Sequence, residues 1–286
     1  MSAPLARLLG IMARLRGPGG CPWDRVQTFA SIAPFTIEES YEVADAIERN
    51  DMPHLKDELG DLLFQVVFHS QLAREAGHFD FDAVALAIGD KLVRRHPQVF
   101  APRAVGTDDA ASGAGIASAG DFGVEQQSAV WEDIKADERA AAARGASSAL
   151  DGVPLALPSL MRAMKLSKRA ARVGFDFERA SSTADKVAEE LAEVREAAAI
   201  CAPATATARF TPSGELFEEI GDLLFAAANL ARKLDVDAEA ALRAANIKFE
   251  RRFHGMERLA AERGLAFEAL DLVAQESLWQ EVKRAE

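Results

Sequence analysis

One carboxylate pattern occurs twice in this chain, and its spacing suits helices better than any other element. Glu38-Glu39-Ser40-Tyr41-Glu42 is followed by Glu58-Leu59-Gly60-Asp61, and the pattern returns as Glu189-Glu190-Leu191-Ala192-Glu193 followed by Glu219-Ile220-Gly221-Asp222. On a helix, side chains three positions apart share a face, so Glu39 pairs with Glu42, Glu58 with Asp61, Glu190 with Glu193 and Glu219 with Asp222. Two such pairs facing each other form a cage. Crowded carboxylates repel one another unless a cation neutralises them, and hard oxygen donors suit Mg2+, with Mn2+ as a substitute. A single Glu-Glu-x-x-Glu run is ordinarily a solvated helix face. Its recurrence in the same order, each time ahead of Glu-x-x-Asp, is the mark of a duplicated unit.

Other residues repeat with it. Leu62-Leu63-Phe64 is echoed by Leu223-Leu224-Phe225, Lys91 to Arg95 by Lys248 to Arg252, and Trp131 to Lys135 by Trp279 to Lys283. The longer connection in the second copy falls around Ala202-Pro203-Ala204-Thr205-Ala206-Thr207, a loop composition, and loops are where a repeated helical unit tolerates insertion. Apolar periodicity predicts helices over 4–16, ended by Gly17-Pro18-Gly19-Gly20; from Thr36 to about Arg49; from Pro53 to about Glu75, with Gly77 as a stop; and from Asp82 to Arg95, ahead of His96-Pro97. No strand alternation of useful length appears, so the expected fold is all-α. The expected domains are 1–139, containing a flexible insertion at 101–123, then a linker over 140–158 and a second repeat over 159–286.

Bulk charge limits the partners. A formal net charge of −12 and a pI near 5.0 argue against nucleic-acid and membrane-surface binding, so an anionic substrate would need a metal and a local basic patch. Cys21 and Cys201 are the only cysteines, too few for a disulfide framework or a zinc ligand set. No signal-peptide core or bilayer-length apolar stretch is present, and a cytoplasmic location is expected.

Each half thus carries carboxylates that can hold a metal, a Lys-x-x-x-Arg pair that can neutralise phosphate, and aromatics that can stack on a base. That combination describes a triphosphate site without a glycine-rich phosphate loop. Plainer readings exist for its parts. Lys91, Arg95, Lys248 and Arg252 could complement helix dipoles, and Trp23, Phe177, Trp131 and Trp279 could be core or interface anchors. Phe35, Phe64, Phe68 and Phe225 read as core, the histidines show no repeated placement, and Cys21 reads as a packed thiol.

Cys21-Pro22-Trp23-Asp24, Glu38-Glu39-x-x-Glu42, Glu58-x-x-Asp61 with Leu62-Leu63-Phe64-Gln65-Val66-Val67, and Arg94-Arg95-His96-Pro97 together resemble the MazG nucleoside triphosphate pyrophosphohydrolases in their two-repeat form, over residues 5–100 and 125–284. The resemblance implies tandem all-α NTP pyrophosphatase bundles assembled as a homodimer, the family's usual assembly, and Mg2+-dependent hydrolysis of NTP or dNTP to monophosphate and pyrophosphate. It implies a broad base range and a role in house-cleaning or nucleotide-pool control. Carried over by position, the metal ligands are Glu39, Glu42, Glu58 and Asp61, and Glu190, Glu193, Glu219 and Asp222. Lys91 with Arg95 and Lys248 with Arg252 would hold phosphates, assisted by Lys186; Trp279 would contact the nucleotide, with Trp23 a further stacking candidate. Glu38 or Glu189 would help deprotonate the metal-activated water that attacks the α-phosphorus. Competing readings are a narrow dCTP/dUTP or phosphoribosyl-ATP pyrophosphatase and a non-catalytic nucleotide-sensing module. The chain departs from the family pattern in 101–123, in 201–214, and in Phe177 where a tryptophan is expected.

Overall fold

A computed structural model describes residues 2–100, 138, 148–200 and 213–286. The expected insertion at 101–123, the first part of the expected linker, Trp131 and Cys201 lie outside the described residues. Every regular element among the described residues is a helix, and the chain divides into two compact units, Met1–Ala142 and Ala143–Glu286.

The N-terminal unit contains α1 (Ala3–Arg16), α2 (Pro22–Val26), α3 (Phe29–Glu48), α4 (Met52–Glu75), α5 (Phe81–Arg95) and α6 (Pro97–Phe100). Its start signals are local. Thr28 and Ser31 form a reciprocal capping box that opens α3, Asp51 caps α4 through the His54 amide, and Asp80 caps α5 through the Ala83 amide. The capping box starts α3 at Phe29, a turn and more ahead of the Thr36 start expected from periodicity, and Pro34 is accommodated inside the helix. Asn50, at φ 55°, closes the tight connection between α3 and α4, a conformation that asparagine tolerates better than most residues. This connection lets α3 and α4 pack along their length and turns their acidic faces toward each other. Met12, Ile32, Val67, Phe68 and Leu72 form the core, with Leu8, Leu9, Leu15, Phe64 and Phe81 packed around it. Phe35 is not core: it is 38% exposed and meets Trp23 edge-on at 6.1 Å, one turn from Glu39 on the face that carries the carboxylates.

The C-terminal unit contains α7 (Ser159–Arg172), α8 (Ala180–Ile200), α9 (Gly214–Lys233), α10 (Ala238–Glu262), a 3-10 turn (Phe267–Ala269) and α11 (Leu272–Arg284). Helices α8 and α9 repeat the α3/α4 pairing, and α7 packs on α9. Its core is built of small residues, Ala163, Ala228 and Ala238, beside Leu160 and Met164. A second cluster, Met256, Ala260 and Leu278, joins α10 to α11. Phe225, read from sequence as core, is 43% exposed, because it faces an open cavity rather than packed side chains.

Candidate active site

The α3/α4 hairpin brings Glu39, Glu58 and Asp61 together, with one carboxylate oxygen from each within 4.8 Å of the others. Glu42 hydrogen-bonds to Glu39 and to Glu58, so all four expected ligands of the first cage are neighbours. Burial, then the charges of Asp61, Glu42 and Glu58, pushes the Glu39 carboxyl above its ordinary range. Glu58 is raised by burial and by Glu42, and His54 opposes this with Nδ1 3.3 Å from the Glu58 carboxylate. Gln65, buried beneath the cage, donates to Glu39 Oε1 at 3.4 Å.

In the C-terminal unit Glu190, Glu193 and Glu219 likewise place oxygens within 4.8 Å. Asp222 stands one turn beyond Glu219 on α9 and lines an adjoining cavity with Lys186 and Glu190. Glu193 is pushed up by burial, then by its hydrogen bond to Glu190 and by the charges of Glu190 and Glu219, against Lys186. Lys186 Nζ reaches Glu189 Oε1 and Glu190 Oε1, each at 2.7 Å, and both bonds raise its basicity. Each cage is therefore a set of hard oxygen donors spaced to share one ion and destabilised by mutual repulsion. That chemistry fits a divalent cation such as Mg2+.

Arg95 and Arg252 are engaged by carboxylates other than the expected metal ligands. Arg95 Nε donates to Glu138 at 3.2 Å, Arg94 lies 3.6 Å from the same carboxylate, and the Lys91 charge also acts on it. In the second unit Arg252 holds Glu286 through Nε at 3.0 Å and Nη2 at 2.7 Å, and Arg251 binds its other oxygen. Lys248 is exposed on the same helix. Trp279 packs on the Met256–Leu278 cluster, lies 5.6 Å from Phe249, and carries the Arg252 guanidinium over its ring at 5.5 Å. The tryptophan thus braces an arginine. Trp23 is half exposed against Phe35. Glu38 is exposed beside the first cage, and Glu189 is tied to Lys186.

Sequence reasoning missed the cavity. It has a volume of about 570 Å³ and is walled by apolar groups including Leu166, Phe175, Phe177 and Phe225. Aligning Glu58-Asp61 with Glu219-Asp222 sets Gln65 against Ala226 and Phe68 against Asn229; aligning Glu38-Glu39 with Glu189-Glu190 sets Phe35 against Lys186. In the N-terminal unit Phe68 is fully buried in the core, whereas Ala226 and Asn229 line the cavity. The large-to-small changes across the repeat were the signal available in the sequence.

Two family models match different parts of the chain. The model for the MazG nucleotide pyrophosphohydrolase domain matches residues 27–100, and that for phosphoribosyl-ATP pyrophosphohydrolase matches residues 157–248. The chain is 51% identical over 284 residues to a nucleoside triphosphate pyrophosphohydrolase of Escherichia coli, covering 98% of this chain and 97% of the relative. It is 39% identical over 276 residues to the nucleoside triphosphate pyrophosphohydrolase/pyrophosphatase MazG of Thermotoga maritima, covering 96% and 94%.

Proposed function

Because the chain belongs to the MazG nucleoside triphosphate pyrophosphohydrolase family, we propose that it hydrolyses nucleoside triphosphates to monophosphate and pyrophosphate, with Mg2+, in its C-terminal unit. The observation that carries this reading is the cavity of about 570 Å³ that opens beside Lys186, Glu190 and Asp222. A substrate needs both the anionic cage and a volume for its nucleoside, and the C-terminal unit offers the two side by side.

Glu190, Glu193, Glu219 and Asp222 would hold the metal, which would supply positive charge to the phosphate oxygens and to the pyrophosphate leaving group. Lys186, already between Glu189 and Glu190, turns its ammonium to the triphosphate. Arg252 and Lys248 neutralise further phosphate charge, with Trp279 holding the Arg252 guanidinium in place. Glu189 accepts the proton of the water that attacks the α-phosphorus. The apolar walls take the faces of any base, which supports a broad base range. Exposed apolar residues on the paired helices, including Ile37, Tyr41, Leu59 and Leu63, support a homodimer.

The test is product analysis over an NTP and dNTP panel with Mg2+. Pyrophosphate appears as the first product; orthophosphate as the first product would overturn the reading. The match of residues 157–248 to the phosphoribosyl-ATP pyrophosphohydrolase model favours a second, narrower reading, so phosphoribosyl-ATP belongs in the panel. Turnover of that compound alone would replace the broad reading with the narrow one.

A further inference from the structure

The cavity has one polar wall that neither the cage nor the phosphate ligands use. Asn229, on α9, is 9% exposed and lines the cavity. Its Oδ1 accepts a hydrogen bond from Arg232 Nε at 2.9 Å. Arginine only donates, so this contact fixes which end of the amide is oxygen and leaves Nδ2 as the group that Asn229 can offer the cavity. The arrangement is braced from behind: Arg232 also donates to Asp176 Oδ1, and Lys233 donates to Asp176 Oδ2 at 3.1 Å and to the Phe177 carbonyl. Asp176 and Phe177 themselves line the cavity, so the network ties its rim to its wall.

We propose that Asn229 is a specificity-determining residue that reads the nucleobase, donating from Nδ2 to an acceptor on the base edge. This rests on the reading of the C-terminal unit as the triphosphate site. The physical reason is asymmetric. Lys186, Glu190 and Asp222 define the anionic end of the cavity, and Phe175, Phe177 and Phe225 present ring surface that cannot distinguish one base from another. A largely buried amide donor can distinguish them, because a base without an acceptor opposite it leaves that donor desolvated and unpaired. The N-terminal unit has Phe68 at the aligned position, an apolar side chain fully buried among Met12, Ile32 and Leu72 that offers no donor.

The experiment compares kcat/KM of the full chain and its Asn229→Ala and Asn229→Asp variants on ATP, GTP, CTP, UTP and the base-less ribose 5′-triphosphate. For Asn229→Ala, the ratio of kcat/KM on the best NTP to that on the base-less compound falls roughly tenfold, the size of one hydrogen bond to a buried partner. In Asn229→Asp one oxygen keeps the Arg232 contact while the other accepts where Nδ2 donated, so UTP and CTP change places or shift relative to each other by roughly tenfold. A uniform loss on every compound, base-less included, or an unchanged ranking in both variants, overturns the inference. Should the wild type release no pyrophosphate, the catalytic reading falls separately. Calorimetric binding of non-hydrolysable α,β-methylene triphosphates then tests Asn229 by the same ratios, and equal ratios across the three proteins overturn it.

Discussion

The two units share a cage and differ in what surrounds it. Around the first stand Phe35, His54, Gln65 and Phe68; at the aligned positions around the second stand Lys186, Glu215, Ala226 and Asn229. The N-terminal unit spends its interior on packing, with Phe68 and Met12 filling the space between α1, α3 and α4. The C-terminal unit leaves that space open as a cavity and puts an ammonium at its anionic end. A duplicated carboxylate cluster is therefore compatible with quite different surroundings in the two copies. Ligand positions alone do not tell which copy turns over.

The sharpest break of this comparison is a pair of matched ligand substitutions. Glu190→Gln removes a buried carboxylate shared by the cage and Lys186, and pyrophosphate release is expected to fall roughly 10³-fold, about 4 kcal/mol of transition-state stabilisation. Glu39→Gln leaves release within roughly twofold, since Phe68 fills the position that lines the cavity as Asn229 in the second unit. Equal losses from the two variants in steady-state pyrophosphate assays would mean that both units contribute to one turnover.

The next effect is on stability and runs the other way. Phe68→Ala opens the filled interior of the N-terminal unit and is expected to cost about 3–5 kcal/mol, read in thermal or denaturant unfolding. Its aligned counterpart Asn229→Ala removes a residue from a cavity wall that is already open, so its cost is smaller, about 1–3 kcal/mol from the freed Arg232 donor. Similar costs at the two positions would contradict a packed first unit and an open second one.

How much of this was legible in the sequence depends on the range of the interaction. Helices α1, α4 and α5 follow from apolar periodicity and from Gly17, Gly77 and His96-Pro97, all local signals. The cages were also legible, because the turn of a helix fixes which carboxylates share a face and the repeat supplies both helices. The start of α3 was misplaced at Thr36 because the Thr28–Ser31 capping box, a local polar signal outside the apolar periodicity, opens the helix at Phe29. Phe35 and Phe225 were misread as core because hydrophobicity does not say whether a facing helix brings a large side chain to cover them. The clamps of Glu138 on Arg95 and Glu286 on Arg252 join residues far apart in sequence with no periodicity to connect them.

Those clamps give a smaller effect. Glu286 occupies the Arg252 guanidinium that the proposed function assigns to phosphate, so substrate must displace it. Glu286→Gln is expected to lower KM by roughly two- to fivefold with kcat little changed, as an exposed ion pair worth about 0.2–1 kcal/mol allows. An unchanged KM would place the phosphate elsewhere on the C-terminal unit.

The smallest effect separates the units by acid sensitivity. In the N-terminal unit Arg16 holds the chain after α1 through the carbonyls of Asp24 and Gln27 and is itself anchored to Glu75 through Nη2 at 2.7 Å. The hydrogen bond from Arg16 keeps the Glu75 carboxyl below its ordinary value, against a raising contribution from burial. A depressed folded-state pKa means that the contact stabilises above the unfolded value of about 4.5 and is lost as pH falls through the lower folded one. Glu75 is 37% exposed, so solvent screening limits the contribution to about 1 kcal/mol or less. Glu75→Gln should therefore lower the unfolding midpoint of the N-terminal unit by a few degrees near pH 7, where about 1 kcal/mol corresponds to roughly 2–8 °C. The difference from wild type should close as the pH drops below 4.5. The C-terminal unit answers through a different group, Asp176, where burial raises the carboxyl but the bonds from Arg232 and Lys233 prevail and hold it down. Its acid response should survive in Glu75→Gln. A variant that flattened the acid limb of both transitions would show that the two units unfold together, and a gap that stayed constant from neutral to acid pH would remove the Arg16–Glu75 charge pair as its cause.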